Sequence, residues 1–365
     1  MRHRTQFRRF GALLAAGLLL FSLSAASVEK TVTLTFTGDC TLGGEERTRF
    51  QPDCFDTIVR EQGYEYPFRY FRPLFEEDDC TVINMEGVLS DSYADEFKDK
   101  TFRFRGKTEF AEILTLASVE AAGLDNNHVN DYGAQGLRNT QETLANAGIA
   151  WFRALDIYIL EKDGIRIAFL ALDQSTSERL FTSKIKDRML QLKADHEADA
   201  IVVCFHCGRE YDPKHSKLQE KMANSFIRAG ADLVIMNHSH VVQGLKQINN
   251  RTACFCLGNF VFGGNCAIKS KPYLNRTVTS RYSIVVRAVL TFADDGAYLG
   301  QQLAIYPAFI SDDPNHNHYQ PYPVHGDEAA AVIDAVQFDT DFKLPALTEG
   351  ETYDYVLLPY LSADS

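Results

Sequence analysis

Seven side chains able to bind a metal ion stand just past apolar, strand-like or helical runs, and this placement constrains the fold more than any other feature of the chain. Asp39 follows the alternating run 31–37, Glu86 follows 81–84, His206 follows 200–205, and His238 and His240 follow 233–236. Asn127 and His128 follow a stretch with helical periodicity at 110–122. In α/β sheets, ligands gather outside the carboxyl ends of strands, so separate strand ends can bring all seven side chains to one place.

The rest of the chain supports that reading. Apolar runs alternate with helical patterns at 136–147 and 218–229, each stopped by glycine, at Gly148 and Gly230. Residues 157–160 and 165–170, separated by Asp163-Gly164, read as a hairpin. Strand–helix alternation with a hairpin implies a layered α/β fold whose sheets are not purely parallel. After about residue 264 the pattern changes to antiparallel strands at 282–292 and 298–305, a Pro/His/Asn/Tyr-rich loop at 312–323 and a last helix at 328–336. The expected organisation is a domain over 32–265 and a mostly antiparallel β continuation over 266–365.

The first 26 residues differ from the rest. Arg2, Arg4, Arg8 and Arg9 precede an apolar run at 11–23, and small residues follow at 24–26. That order reads as a secretory signal, with an uncleaved anchor as the alternative. The expected location is secreted, or on the outer face of the cell envelope. Removing residues 1–26 takes away four arginines and no acids, so the formal charge moves from −12 to −16. So acidic a chain argues against nucleic-acid binding, which needs a basic face. Export would permit disulfides among the eight cysteines. Cys204-x-x-Cys207 is an isolated pair, better read as partly buried thiols than as a redox or zinc motif.

Two carboxylates, an amide oxygen and up to four imidazoles suit one or two divalent ions such as Mn, Fe or Zn. Glu86 or Asp39 could bridge two ions, and two close ions can activate water for an in-line displacement at phosphorus. Singly, each residue has an ordinary alternative: a hydrogen-bonded loop histidine at His206, a turn or cap at Asp39, a solvated carboxylate at Glu86. Coincidence at so many strand ends is the weaker explanation.

Six motifs recur in order: Gly38-Asp39; Asn84-Met85-Glu86; Asn126-Asn127-His128 with Asp131-Tyr132-Gly133; His206-Cys207-Gly208-Arg209-Glu210-Tyr211; His238-Ser239-His240-Val241; and Leu257-Gly258-Asn259-Phe260. Together they resemble the CapA family of poly-γ-glutamate capsule biosynthesis proteins, which are related to calcineurin-like metallophosphoesterases. The resemblance covers roughly residues 32–265. It implies a four-layer α/β sandwich with a metallophosphatase-like centre. In that centre Asp39, Glu86, Asn127, His128, His206, His238 and His240 hold metal. Asp39, Glu86 and His128 are the catalytic candidates, His128 being the choice of general acid in a phosphoesterase because an imidazole titrates close to working pH, and Glu210, Tyr211 and Asn259 lie toward substrate. Two departures stand out. Cys207 replaces a tryptophan common in the family. Asp39-Cys40-Thr41 lacks the histidine of the phosphoesterase Asp-x-His, for which Cys40 is a candidate substitute.

Three functions follow. The first is a metal-dependent, hydrolase-like component of γ-linked polyglutamate synthesis or export, with membrane partners in capsule assembly. The second is a secreted phosphoesterase acting on a phosphorylated small molecule. The third is a non-catalytic polymer-binding subunit. A polyanionic partner would need a metal or a local basic rim, for which Arg103, Arg105 and Lys107 are candidates unless they lie on a solvated strand face.

Overall fold

In the computed structural model, which describes residues 29–174 and 179–363, two mixed sheets lie face to face. The segment 1–26, read as a signal, lies outside the described residues. The first sheet runs, edge to edge, through Tyr322–Pro323, Tyr298–Phe309, Tyr282–Phe292, Lys30–Thr41, Cys80–Met85, Ala121–Gly123 and Ala150–Phe152. The second runs through Leu245–Ile248, Arg251–Cys254, Leu233–Asn237, Ala200–His206, Ile165–Asp173 and Tyr158–Lys162. Parallel strands fill the centre of the second sheet and one half of the first.

Alternation along each strand builds three apolar layers, because successive side chains point to opposite faces. Between the sheets, Val32, Leu34, Phe36 and Val82 meet Ile167, Phe169, Val202 and Ile235. Outside the first sheet, Ile83, Met85 and Ala122 pack on Phe55, Val59, Ile113, Leu114 and Leu144. These come from the helices Phe55–Gln62, Ala111–Leu116 and Gly133–Asn146. Outside the second sheet, Leu170, Val203 and Val234 pack on Ile185, Met189 and Phe226, from the helices Arg179–Ala194 and Lys217–Arg228. The result is the four-layer α/β sandwich expected from the sequence.

The antiparallel continuation is part of the same sheet. Tyr282–Phe292 pairs with residues 30–36 of the first strand and with Tyr298–Phe309 on its other side. The last helix, Gly326–Gln337, buries Ala329, Val332 and Val336 in the layer between the sheets. The hairpin at Asp163-Gly164 forms as expected, with both turn residues at positive φ of 51° and 78°.

One expected element differs. The helix anticipated over 110–122 ends at Leu116, and Ala121–Gly123 is a central strand. Ser118 turns the chain at φ 58°, and the small residues that follow fit between Cys80–Met85 and Ala150–Phe152. There Gly123 packs against the Phe152 ring.

Among the described residues, no helix is long and apolar enough to cross a membrane.

Candidate metal centre

Strand register assembles the site. In the first sheet, Asp39 lies beside Asn84 on one side and Asn259 on the other. In the second, His206 lies between Asp173 and Asn237. The Asp39 row depends on Gly38: a Cβ there would fall 2.3 Å from the Gly258 carbonyl oxygen. That close approach lets Asp39 N donate to Gly258 O at 2.9 Å. After Leu233–Asn237 the backbone takes positive φ at His238 (108°) and His240 (55°), unusual for residues with a Cβ.

Asp39, Glu86, His128, His206, His238 and His240 are all buried, and Asn127 is half-buried. His206 Nε2 is 2.7 Å from Asn127 Oδ1 and 3.0 Å from His238 Nδ1. His240 Nδ1 is 2.9 Å from Asn259 Oδ1 and 3.3 Å from Asp39 Oδ2. Glu86 Oε1 faces three imidazole nitrogens: Nε2 of His206 at 3.6 Å, of His128 at 3.8 Å and of His240 at 3.9 Å. These separations exceed hydrogen-bond length. Among the described residues neither Glu86 oxygen has a hydrogen-bond partner, although both are buried.

A buried carboxylate without a partner is costly unless a cation compensates it. The donor set supplies the setting for one. Ligand atoms of Glu86, His206 and His238 lie within 4.8 Å of one another, as do those of Asp39, Glu86 and His240. The two groups share Glu86, and both are compatible with a divalent ion. Protonation of the metal-free site differs from ligand to ligand, and an ion would displace protons from Glu86 and His240. Burial, reinforced by Asp39, raises Glu86 well above its ordinary value. Burial drives His206 well below its own, which keeps the ring in the neutral, ligating form. At His240 burial opposes charging, but Glu86 and Asp39 outweigh it and push the ring up to about 10.

His128 is set apart from those two groups. Its Nδ1 is held by Asp131 Oδ2 at 2.6 Å, and its ring stacks on Phe104 at 4.2 Å. Lys100 Nζ donates to Asp131 Oδ1 and to the Asn127 carbonyl, both at 2.6 Å. His128 Nε2 therefore points toward Glu86 with its other nitrogen fixed.

Of the residues expected to meet substrate, Tyr211 is half-buried at the rim, with its ring 5.8 Å from that of His240 and Lys269 Nζ 4.4 Å above it. Glu210 is exposed. Asn259 is buried, and its Oδ1 is engaged by His240.

Several residues in and around the site were not assigned a role from sequence. Asn84 Nδ2 donates to Asp39 Oδ1 at 2.8 Å and lies 3.2 Å from His206 Nδ1, so one amide orients two ligands. Lys100 and Asp131 orient His128, and Gln174 Nε2 is 3.4 Å from His238 Nε2. Asn84 and Asp131 lie inside the quoted motifs, where an amide or acid beside a ligand was a signal. Lys100 carried none.

Two expectations are corrected. Cys40 does not join the ligands: its thiol lies 3.5 Å from Thr37 Oγ1 and from Gly38 O, within the outer apolar layer. Arg105 is no rim residue and no solvated strand residue. It is buried, bonded to Glu46 at 2.7 Å and stacked 4.1 Å from the Tyr93 ring. The pair Cys204 and Cys207 is unbridged, and burial pushes the Cys204 thiol up to about 12.

Fold and site thus define a two-sheet α/β protein with a buried carboxylate–imidazole centre compatible with a divalent ion. Its sequence places it more closely: the chain belongs to the family described as bacterial capsule synthesis protein PGA_cap, whose profile matches residues 33–264. It is 28% identical over 254 residues to the capsule biosynthesis protein CapA of Bacillus anthracis, covering 63% of this chain and 60% of that protein. It is 25% identical over 254 residues to the PGA biosynthesis protein CapA of Bacillus subtilis (strain 168), covering 64% of each. The match spans less than two thirds of either relative. Among solved structures, TT1561 of Thermus thermophilus aligns with TM-score 0.39 and 12% identity over 68% of this chain and 98% of that one. The purple acid phosphatase PPD1 of yellow lupin aligns with TM-score 0.37 and 13% identity, over 87% of this chain and 57% of that one.

Proposed function

We propose that this protein is exported and acts in capsule biosynthesis on a γ-linked polyglutamate chain, through a metal-dependent, hydrolase-type centre. The observation that carries this reading is the Glu86 carboxylate, buried with both oxygens unpartnered and facing three imidazole nitrogens. Asp39, Glu86, His206, His238 and His240 would hold the ion, with Asn127 beside His206. A bound divalent ion supplies Lewis acidity and lowers the pKa of a water molecule.

The chain's own residues provide the rest. Asn84 and Asn259 fix the orientation of Asp39, His206 and His240. Asp131 holds His128 through Nδ1, so that Nε2 is the nitrogen that exchanges a proton with a leaving group. The exposed cations Arg209 and Lys269 lie beside Tyr211 in sequence and in space respectively, and suit a polyanionic chain entering over that ring. Membrane partners in capsule assembly belong to the same proposal.

The test is to load the purified protein with Mn, Fe or Zn. It is then incubated separately with γ-linked polyglutamate and with a chromogenic phosphodiester. Shortening or retention of the polymer, lost in Glu86→Gln, supports the reading. Turnover of the phosphodiester with the polymer untouched would replace it with a phosphoesterase.

A further inference from the structure

We propose that Asp53, Cys266 and His316 form a second metal site, separate from the centre above and suited to Zn2+, that ties three loops together. Asp53 lies two residues before the helix Phe55–Gln62, Cys266 follows the strand Asn259–Phe262, and His316 lies in the loop after Tyr298–Phe309. Their ligand atoms lie within 4.8 Å of one another. Asp53 Oδ2 and His316 Nε2 are 3.8 Å apart, too far for a hydrogen bond. Two ligands on one tetrahedral zinc stand about 3.4 Å apart, close to that separation.

The donors are chemically selective. A thiolate, an imidazole and a carboxylate together favour zinc over magnesium or calcium, which prefer all-oxygen sites. On coordination a sulfur–zinc bond replaces the Cys266 S–H bond, and the proton leaves to solvent. Three protein ligands leave a fourth position for water. All three side chains are half-buried, and Asp53 and Cys266 line a cleft of about 210 Å³, so an ion can reach them.

The loops are already set in place. Asn317 N donates to Cys266 O at 2.7 Å, its Nδ2 donates to Phe262 O at 2.8 Å, and Ile268 N donates to Asn315 O at 3.0 Å. Tyr319, also buried, donates from its hydroxyl to Asp53 O at 3.0 Å. The backbones carrying all three ligands are therefore joined without the ion, and little ordering remains to oppose binding. Cys266 lies seven residues after Asn259, which holds His240, so the clamp would also brace the strand that serves the main centre.

Cobalt substitution separates the two sites, because the main centre has no sulfur ligand. The full chain, with thiols reduced and metals stripped, is titrated with Co2+. The proposal expects a sulfur-to-cobalt charge-transfer band that saturates at one equivalent in Glu86→Gln, and in the wild type at one equivalent beyond what the main centre takes up. It should vanish in Cys266→Ser, need about 10-fold more Co2+ or worse in His316→Ala, and persist in Glu86→Gln. A wild-type protein without the band, or a band that survives Cys266→Ser, overturns the proposal. So does full affinity in His316→Ala.

Discussion

Glu86 Oε1 lies 3.6 Å from His206 Nε2, both side chains are buried, and no hydrogen bond joins them. The carboxyl is thus held next to Asp39 and the imidazoles with no hydrogen-bond partner among the described residues. Glu86→Gln removes a group that must take up a proton on folding at neutral pH, because burial and Asp39 raise its carboxyl well above the ordinary value. In chelator-treated protein the variant should be more stable than the wild type by about 1–3 kcal/mol, the cost of a buried unsatisfied group. With saturating ion the order should reverse, since binding stabilises only the protein that binds. Thermal unfolding with chelator and with ion reads both signs.

His128 and Asp131 give a second prediction. Burial holds His128 below its ordinary 6.5, while the hydrogen bond to Asp131 works in the opposite direction. In Asp131→Asn that opposing contribution is lost, so the ring should protonate at a still lower pH. Titration of the ring nitrogens by NMR in metal-free protein measures the displacement. Metal content should be retained, and any hydrolytic turnover should fall by about 100-fold, the low end of what a positioned general acid contributes. An unmoved titration would show that Asp131 does not govern His128.

Asp78 supplies a pH dependence away from the site. It is partly buried in the turn before Cys80–Met85, and it accepts from Thr81 Oγ1 at 2.7 Å. Burial pushes its carboxyl from 3.8 up to about 6. A carboxyl raised in the folded state favours folding fully below the unfolded value, and that contribution is lost as pH rises through the folded value. Stability contributed at Asp78 should therefore decline between about pH 4 and pH 6, and Asp78→Asn should flatten that part of the profile. Denaturant midpoints across this range check it.

Much of this architecture was legible in the chain because its strands are apolar and end in polar punctuation. Residues 200–205 and 233–236 read as buried strands and are so, and His206 and His238 follow from them. Ala121–Gly123 was hidden because small residues in a three-residue strand carry no period of their own, and the helical pattern before them runs on without a break. Pairing on both sides decides that segment, and pairing is not local. Arg105 was misread for a related reason. Alternation with phenylalanines suggests a solvated face, whereas Glu46 and Tyr93, remote in sequence, enclose it. The Cys40 thiol turns away from the ligands because it directly follows Asp39 in the same strand, where successive side chains point to opposite faces.

The central claim is that Asp39, Glu86, His206, His238 and His240 hold a metal ion. Elemental analysis of the purified chain after equilibration with Mn, Fe or Zn and removal of loose ions tests it most directly, beside Glu86→Gln and His206→Ala. The account predicts bound ion in the wild type and its loss in both variants, with any zinc at Cys266 unaffected. Equal metal in all three proteins, or a wild type that binds only ions removable by Cys266→Ser, would contradict it.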